Sequence, residues 1–159
     1  MSLKIKFRTF YPNYSRAICR VATGKLSKLQ WRFALIAESV EATISIQVTR
    51  GPWPNGCRGI FSASTNSLNG MKVSLLSLGD DKLPVNVHGM INMSRHVASV
   101  EIGGELKISV TTEYEDGEPI NAKDETDFTP RKAGRSSAVL KVRSCEMKVV
   151  VAWSLVCSH

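Results

Sequence analysis

The sequence predicts an all-β protein, an antiparallel β-sandwich or flattened barrel with a short basic N-terminal segment. Three observations carry that prediction. Apolar and polar residues alternate with the period of a strand that buries one face, most cleanly in Val40-Glu41-Ala42-Thr43-Ile44-Ser45-Ile46-Gln47-Val48-Thr49. Clusters of turn-forming residues interrupt such runs, as in Arg50-Gly51-Pro52-Trp53-Pro54-Asn55-Gly56. The closing stretch 147–157 is nearly continuous in apolar residues, as in a strand buried on both faces.

Taken in order, the first element is ambiguous. Leu26, Leu29, Phe33, Ile36 and Val40 fit a helical stripe, whereas Leu29, Trp31, Phe33 and Leu35 alternate with Lys28, Gln30, Arg32 and Ala34 as in a strand. The many short strands elsewhere favour a strand over 29–35, one that extends the sandwich or barrel. After the strand at 40–49 comes a short one at 60–63, closed by Ser64-Thr65-Asn66. The turn Asn69-Gly70 then leads into 71–75, and Gly79-Asp80-Asp81 ends that run. Val85, Val87, Ile91 and Met93 fall at even spacing, with Gly89 on the same face. Segments 97–102 and 106–112 flank Gly103-Gly104, a pair of the kind that closes a hairpin. Residues 113–137 are polar and read as a long exposed loop, anchored on the core by Phe128 in Phe128-Thr129-Pro130. Strands at 138–142 and 147–157 complete the chain. Ile44, Ile46, Val48, Val73, Val87, Ile108, Val149, Val151 and Trp153 are the expected core.

At 159 residues, 43% apolar and 22% charged, the chain is long enough for one well-filled domain. That domain spans 1–159, with an N-terminal arm over 1–15 and the β-domain over 16–159. Collagen-like and disordered classes are excluded by composition. The longest apolar stretch, 149–157, falls far short of the ~20 residues that span a bilayer, and no apolar core of a secretory signal follows Met1. A cytoplasmic protein without a transmembrane segment is expected.

Chemistry-bearing motifs are sparse. No G-x-S-x-G elbow or glycine-rich phosphate cradle occurs. Cys19, Cys57, Cys145 and Cys157 are widely spaced and read as free thiols. Cys157-Ser158-His159 has only His88 and His96 as further imidazoles, too few for a structural zinc site. Asp124-Glu125-Thr126-Asp127 lacks the spacing of an EF-hand and reads as a solvated acidic loop. The expectation is no catalytic residue, no metal, no cofactor and no enzyme activity.

Charge is the informative feature. The net charge is +7. Lys4, Lys6, Arg8, Arg16, Arg20, Lys25, Lys28 and Arg32 lie in the first 32 residues with no acid among them, and nine of the fourteen acids fall in 101–127. Such segregation favours an anionic partner, RNA or an acidic membrane. As nucleic-acid-binding residues, Lys4, Lys6, Arg8, Arg16 and Arg20 come first, then Arg131, Lys132 and Arg135. Trp53, between two prolines, is the candidate protein contact or else a buried loop anchor.

Three blocks resemble a plant domain family of unknown function, found mainly in grasses: Val40-Glu41-Ala42-Thr43-Ile44, Asp127-Phe128-Thr129-Pro130 and Met147-Lys148-Val149-Val150-Val151-Ala152-Trp153-Ser154. The resemblance covers about residues 26–156. In some members this domain follows a ribosome-inactivating domain, an rRNA N-glycosidase, in proteins linked to stress and defence. No toxin domain fits in the roughly thirty preceding residues, so no catalytic residue is carried over. The resemblance implies a non-catalytic β-domain that acts as a protein-interaction or regulatory module, with an unidentified protein or itself as partner. The alternatives are an RNA- or ribosome-associated module that binds phosphate by charge, and a small-molecule or carbohydrate-binding β-sandwich, whose sign would be a concave aromatic pocket.

Overall fold

In the computed structural model, which describes residues 15–68, 71–79, 82–114 and 122–156, two distant runs of the sequence pair at the centre of one sheet. Strand β3 (Ser39–Arg50) lies antiparallel to β10 (Cys145–Leu155), with Ile44 opposite Val151 and Ile46 opposite Val149. Strand β6 (Val97–Glu101) flanks β3, and β9 (Gly134–Val142) flanks β10, giving the order β6-β3-β10-β9. The second sheet is β5 (Lys72–Leu78), β4 (Cys57–Thr65), β7 (Leu106–Tyr114) and β8 (Ala122–Phe128), in that order. All pairings are antiparallel. The two sheets face each other as a sandwich rather than closing into a barrel.

Alternation places the apolar side chains between the sheets. Ala42, Ile44, Ile46, Met147, Val149, Val151 and Trp153 come from the central pair, and meet Phe61, Ala63, Leu75, Leu106, Ile108 and Val110 from the other sheet. Phe128 is buried at the end of β8, as expected of a core anchor. A bulge at Leu75 shifts the β4–β5 register between Phe61 and Ser62, so Leu75 and Leu76 are both buried although adjacent.

The edges are managed by polar contacts. Asp124 sits on the inward side of β8, opposite Val110, and its Oδ2 accepts a 2.7 Å hydrogen bond from the Lys141 amide on β9. That carboxylate ties the edges of the two sheets together and occupies an edge amide that would otherwise invite a foreign strand. On the opposite side, the Arg95 amide donates to the Leu75 carbonyl at 3.1 Å.

Several expectations are corrected. Residues 113–137 are not one long loop: 122–128 form an edge strand and 134–137 begin β9. Segments 97–102 and 106–112 do not make a hairpin, because Gly103-Gly104 carries the chain from one sheet to the other. The Val85–Met93 spacing belongs to no strand. Asn86 Oδ1 accepts from the His88 and Met90 amides, folding a turn that leaves Val87 95% exposed. Of that segment Ile91 is buried, its amide bonded to Ile46 O, and Met93 is half-buried against the core. Val48 and Val73 are half-buried. Strand β10 buries one face from Cys145 to Trp153 and exposes Leu155 at its end, while Val150 and Ala152 on the other face are half-buried. The strand expected at 29–35 does form, as β2 (Lys28–Leu35), but it extends neither four-stranded sheet. It pairs with β1 (Arg16–Thr23). The arm over 1–14 (with Lys4, Lys6 and Arg8), the Asn69-Gly70 turn, Asp80-Asp81 and Cys157-Ser158-His159 lie outside the described residues.

Burial separates Ile46 from Val87, which the alternation treats alike. Ile46→Ala should lower stability by about 2–5 kcal/mol, the range for emptying a closed core site. Val87→Ala should stay within about 0.5 kcal/mol. Urea unfolding of both variants measures the difference.

Candidate functional site

The β1–β2 pair forms a hairpin outside the sandwich. Its turn is Gly24-Lys25-Leu26-Ser27, where the Gly24 amide donates to Ser27 O at 2.7 Å. At its base the Ala37 amide donates to Ser15 Oγ at 3.1 Å. The register sets Arg16, Ile18, Arg20 and Ala22 opposite Leu35, Phe33, Trp31 and Leu29. One face is therefore apolar with two arginines in it, and the other carries Lys28, Gln30 and Arg32 beside Cys19 and Val21. Toward the base, Ile18, Trp31 and Phe33 are half-buried. There Phe33 and Ile36 line a cavity of about 320 Å³ with Ala63, Val73 and Val97 of the sandwich. Toward the tip every residue from Cys19 to Gln30 is exposed, and Leu26 is completely so.

Arg16, Arg20, Lys25, Lys28 and Arg32 all sit on this hairpin, and the described residues from 15 to 37 contain no acid. None of the five has a carboxylate partner among the described residues. Glu125, Asp127 and Glu146 pair with lysines of the sandwich instead. Lys107 and Lys123 hold Glu125 at 3.1 and 2.8 Å, and the hydrogen bond from Lys123, followed by that from Lys107, keeps its carboxyl below the usual range. Alternation along β8 sends Asp124 and Thr126 inward and Glu125 and Asp127 outward, so the four residues do not converge on one ion.

The second basic group is separate from the first. Arg131 and Lys132 lie in the β8–β9 connection and Arg135 at the start of β9, all exposed. Arg131 Nη1 donates to Arg135 O at 3.4 Å. Farther along β9, Lys141 pairs with Glu146 at 2.9 Å, and that hydrogen bond holds the Glu146 carboxyl below its ordinary value. Sequence reasoning found the cations but not the hairpin that gathers five of them, since 16–23 shows no regular alternation.

Trp53 acts as an anchor. Its Nε1 donates to Cys57 O at 3.3 Å, and its ring lies 5.7 Å from that of Phe61. The indole also covers Gly59, where a Cβ would come within 2.6 Å of Cζ2. Around it opens an apolar cleft of about 390 Å³, lined by Val48, Pro52, Pro54, Leu83 and Val85, with Lys82 as its charged group. Cys57, at its floor, and Cys145 are buried free thiols, and burial pushes the Cys145 thiol up. Gly51, with φ of 71°, admits no Cβ against the Ser144 carbonyl, which fixes where the Trp53 loop leaves β3. Gly59→Ala should therefore displace the indole and cost about 1–3 kcal/mol, measured by urea unfolding. Wild-type stability in that variant would mean the ring does not rest on the strand.

No curated protein matches the chain. Among solved structures, a C2-type domain of plant Extended Synaptotagmin 1 is similar over 76% of this chain and 97% of that chain, at 10% identity and a TM-score of 0.49. A likeness of that size says nothing of function, and the sandwich rests on its own strand register. A family model described as a domain of unknown function, DUF6598, matches residues 1–151. The match starts at the first residue rather than near 26, so the basic N-terminal segment lies within it. Neither plant origin nor a ribosome-inactivating domain enters that description. The chain belongs to this family of domains of unknown function.

Proposed function

We propose that the chain is a single, non-catalytic binding domain, in which the eight-stranded sandwich is a scaffold and the β1–β2 hairpin makes contact with an anionic partner. One observation carries the proposal: five cations without an acid on an element whose outer half stands exposed. An isolated two-stranded hairpin is marginally stable in water, so one that projects with a mixed apolar and cationic face gains most from a partner that covers it. A regulatory or protein-interaction role, the stress and defence setting implied by the sequence resemblance, and a cytoplasmic location belong to the same proposal.

A second reading is supported by the Trp53 cleft, whose size and apolar lining suit a small molecule. The indole N–H is already committed to Cys57 O, which leaves the side chains of Lys82 and Asn55 as the polar groups to orient a ligand.

A salt series with a short single-stranded RNA, used as a polyanion probe, tests the hairpin. Arg16→Gln with Arg20→Gln should weaken binding and flatten the salt slope by about 0.7 for each phosphate no longer neutralised. Arg131→Gln with Lys132→Gln and Arg135→Gln should change both much less. The reverse pattern would move the binding surface to the β8–β9 connection and overturn the proposal.

A further inference from the structure

We infer that the anionic partner of the hairpin is the surface of a lipid bilayer, with Leu26 entering the boundary between headgroups and acyl chains. The inference rests on the binding function proposed above and names its partner.

The turn carries the chemistry. Lys25 and Leu26 are its two central residues, so the outermost point of the hairpin is one cation and one aliphatic side chain. Leu26 is 100% exposed, and Leu29 and Val21, a short way down on opposite faces, are 62% and 52% exposed. Cations flank them on both faces: Arg20 beside Leu29 and Trp31, and Lys28 and Arg32 across the hairpin. Further from the tip, Trp31 is half-buried, its ring between the exposed end and the packed base. Apolar groups at a tip, cations around them and an amphipathic aromatic behind them match the layers of an anionic leaflet in depth: acyl chain, phosphate, interface.

The same geometry disfavours the other occupants. Single-stranded RNA gains affinity by stacking bases on exposed aromatic rings, and the exposed stretch from Cys19 to Gln30 contains none. RNA bound there would also leave Leu26 in water. A second copy would bring five more cations against the first five, without an acid on either hairpin. A bilayer satisfies both the charge and the aliphatic tip.

Sedimentation with vesicles provides the test, comparing phosphatidylcholine alone with phosphatidylcholine containing phosphatidylserine, at low and at physiological salt. The full chain should bind only the phosphatidylserine vesicles, and should keep measurable binding at physiological salt because the apolar contact is not screened. Leu26→Ser should weaken that binding roughly tenfold while leaving the affinity for single-stranded RNA unchanged. Lys25→Gln with Lys28→Gln should weaken vesicle binding by about fivefold per cation. Both substitutions lie in or beside an exposed turn, and an unchanged urea unfolding curve verifies that the fold is intact. If Leu26→Ser binds vesicles as the parent does, or RNA binding outlasts vesicle binding at physiological salt, the bilayer is the wrong partner while the cationic hairpin stands. If neither probe responds to removal of the hairpin cations, the binding function proposed above falls as well.

Discussion

Everything in the molecule is arranged around the pairing of β3 with β10. These strands join parts of the chain about a hundred residues apart, as in the Ser45–Val150 hydrogen bond. Closing so large a loop costs conformational entropy before any contact repays it. What repays it is a run of inward side chains, Ala42, Ile44 and Ile46 against Met147, Val149, Val151 and Trp153, all buried. With that seam formed, β6 and β9 add to its flanks, and the second sheet has an apolar surface to cover.

The seam also determines what is left outside. Strand β3 begins directly after the hairpin, at Ser39, and Glu38 between them takes a left-handed φ of 43°. The chain therefore leaves the hairpin through a sharp turn and enters the core at Val40. The Ile102 amide bonded to Glu38 O at 2.9 Å fixes that corner. The sandwich thus supplies a firm base for an element it does not itself cover. Positive charge gathers on that element, while Glu125 of β8 is neutralised within its own sheet by Lys107 and Lys123.

The sequence was most legible where one face of a strand is fully buried. The alternation of β3 was plain because every second residue from Val40 to Ile46 is aliphatic or alanine. Strand β8 was hidden because its inward residues before Phe128 are Ala122, Asp124 and Thr126, so hydrophobicity shows no period. In the 85–93 segment the period was present but an Asn86 turn overrode it, a local hydrogen-bond choice that spacing does not reveal. Gly103-Gly104 misled because a glycine pair closes hairpins and also carries a chain across a sandwich. For the site, composition disclosed the cations, and the pairing of β1 with β2 was needed to bring Arg16, Arg20, Lys28 and Arg32 onto one element.

Amide hydrogen exchange on the free chain measures directly whether a firm sandwich carries a separately stabilised hairpin. The amides of β3 and β10 should exchange slowest, near the rate of global unfolding, and those of β1 and β2 much faster, through opening of the hairpin alone. Equal protection of the hairpin and the β3–β10 seam would show a single cooperative unit and contradict the division into scaffold and contact element.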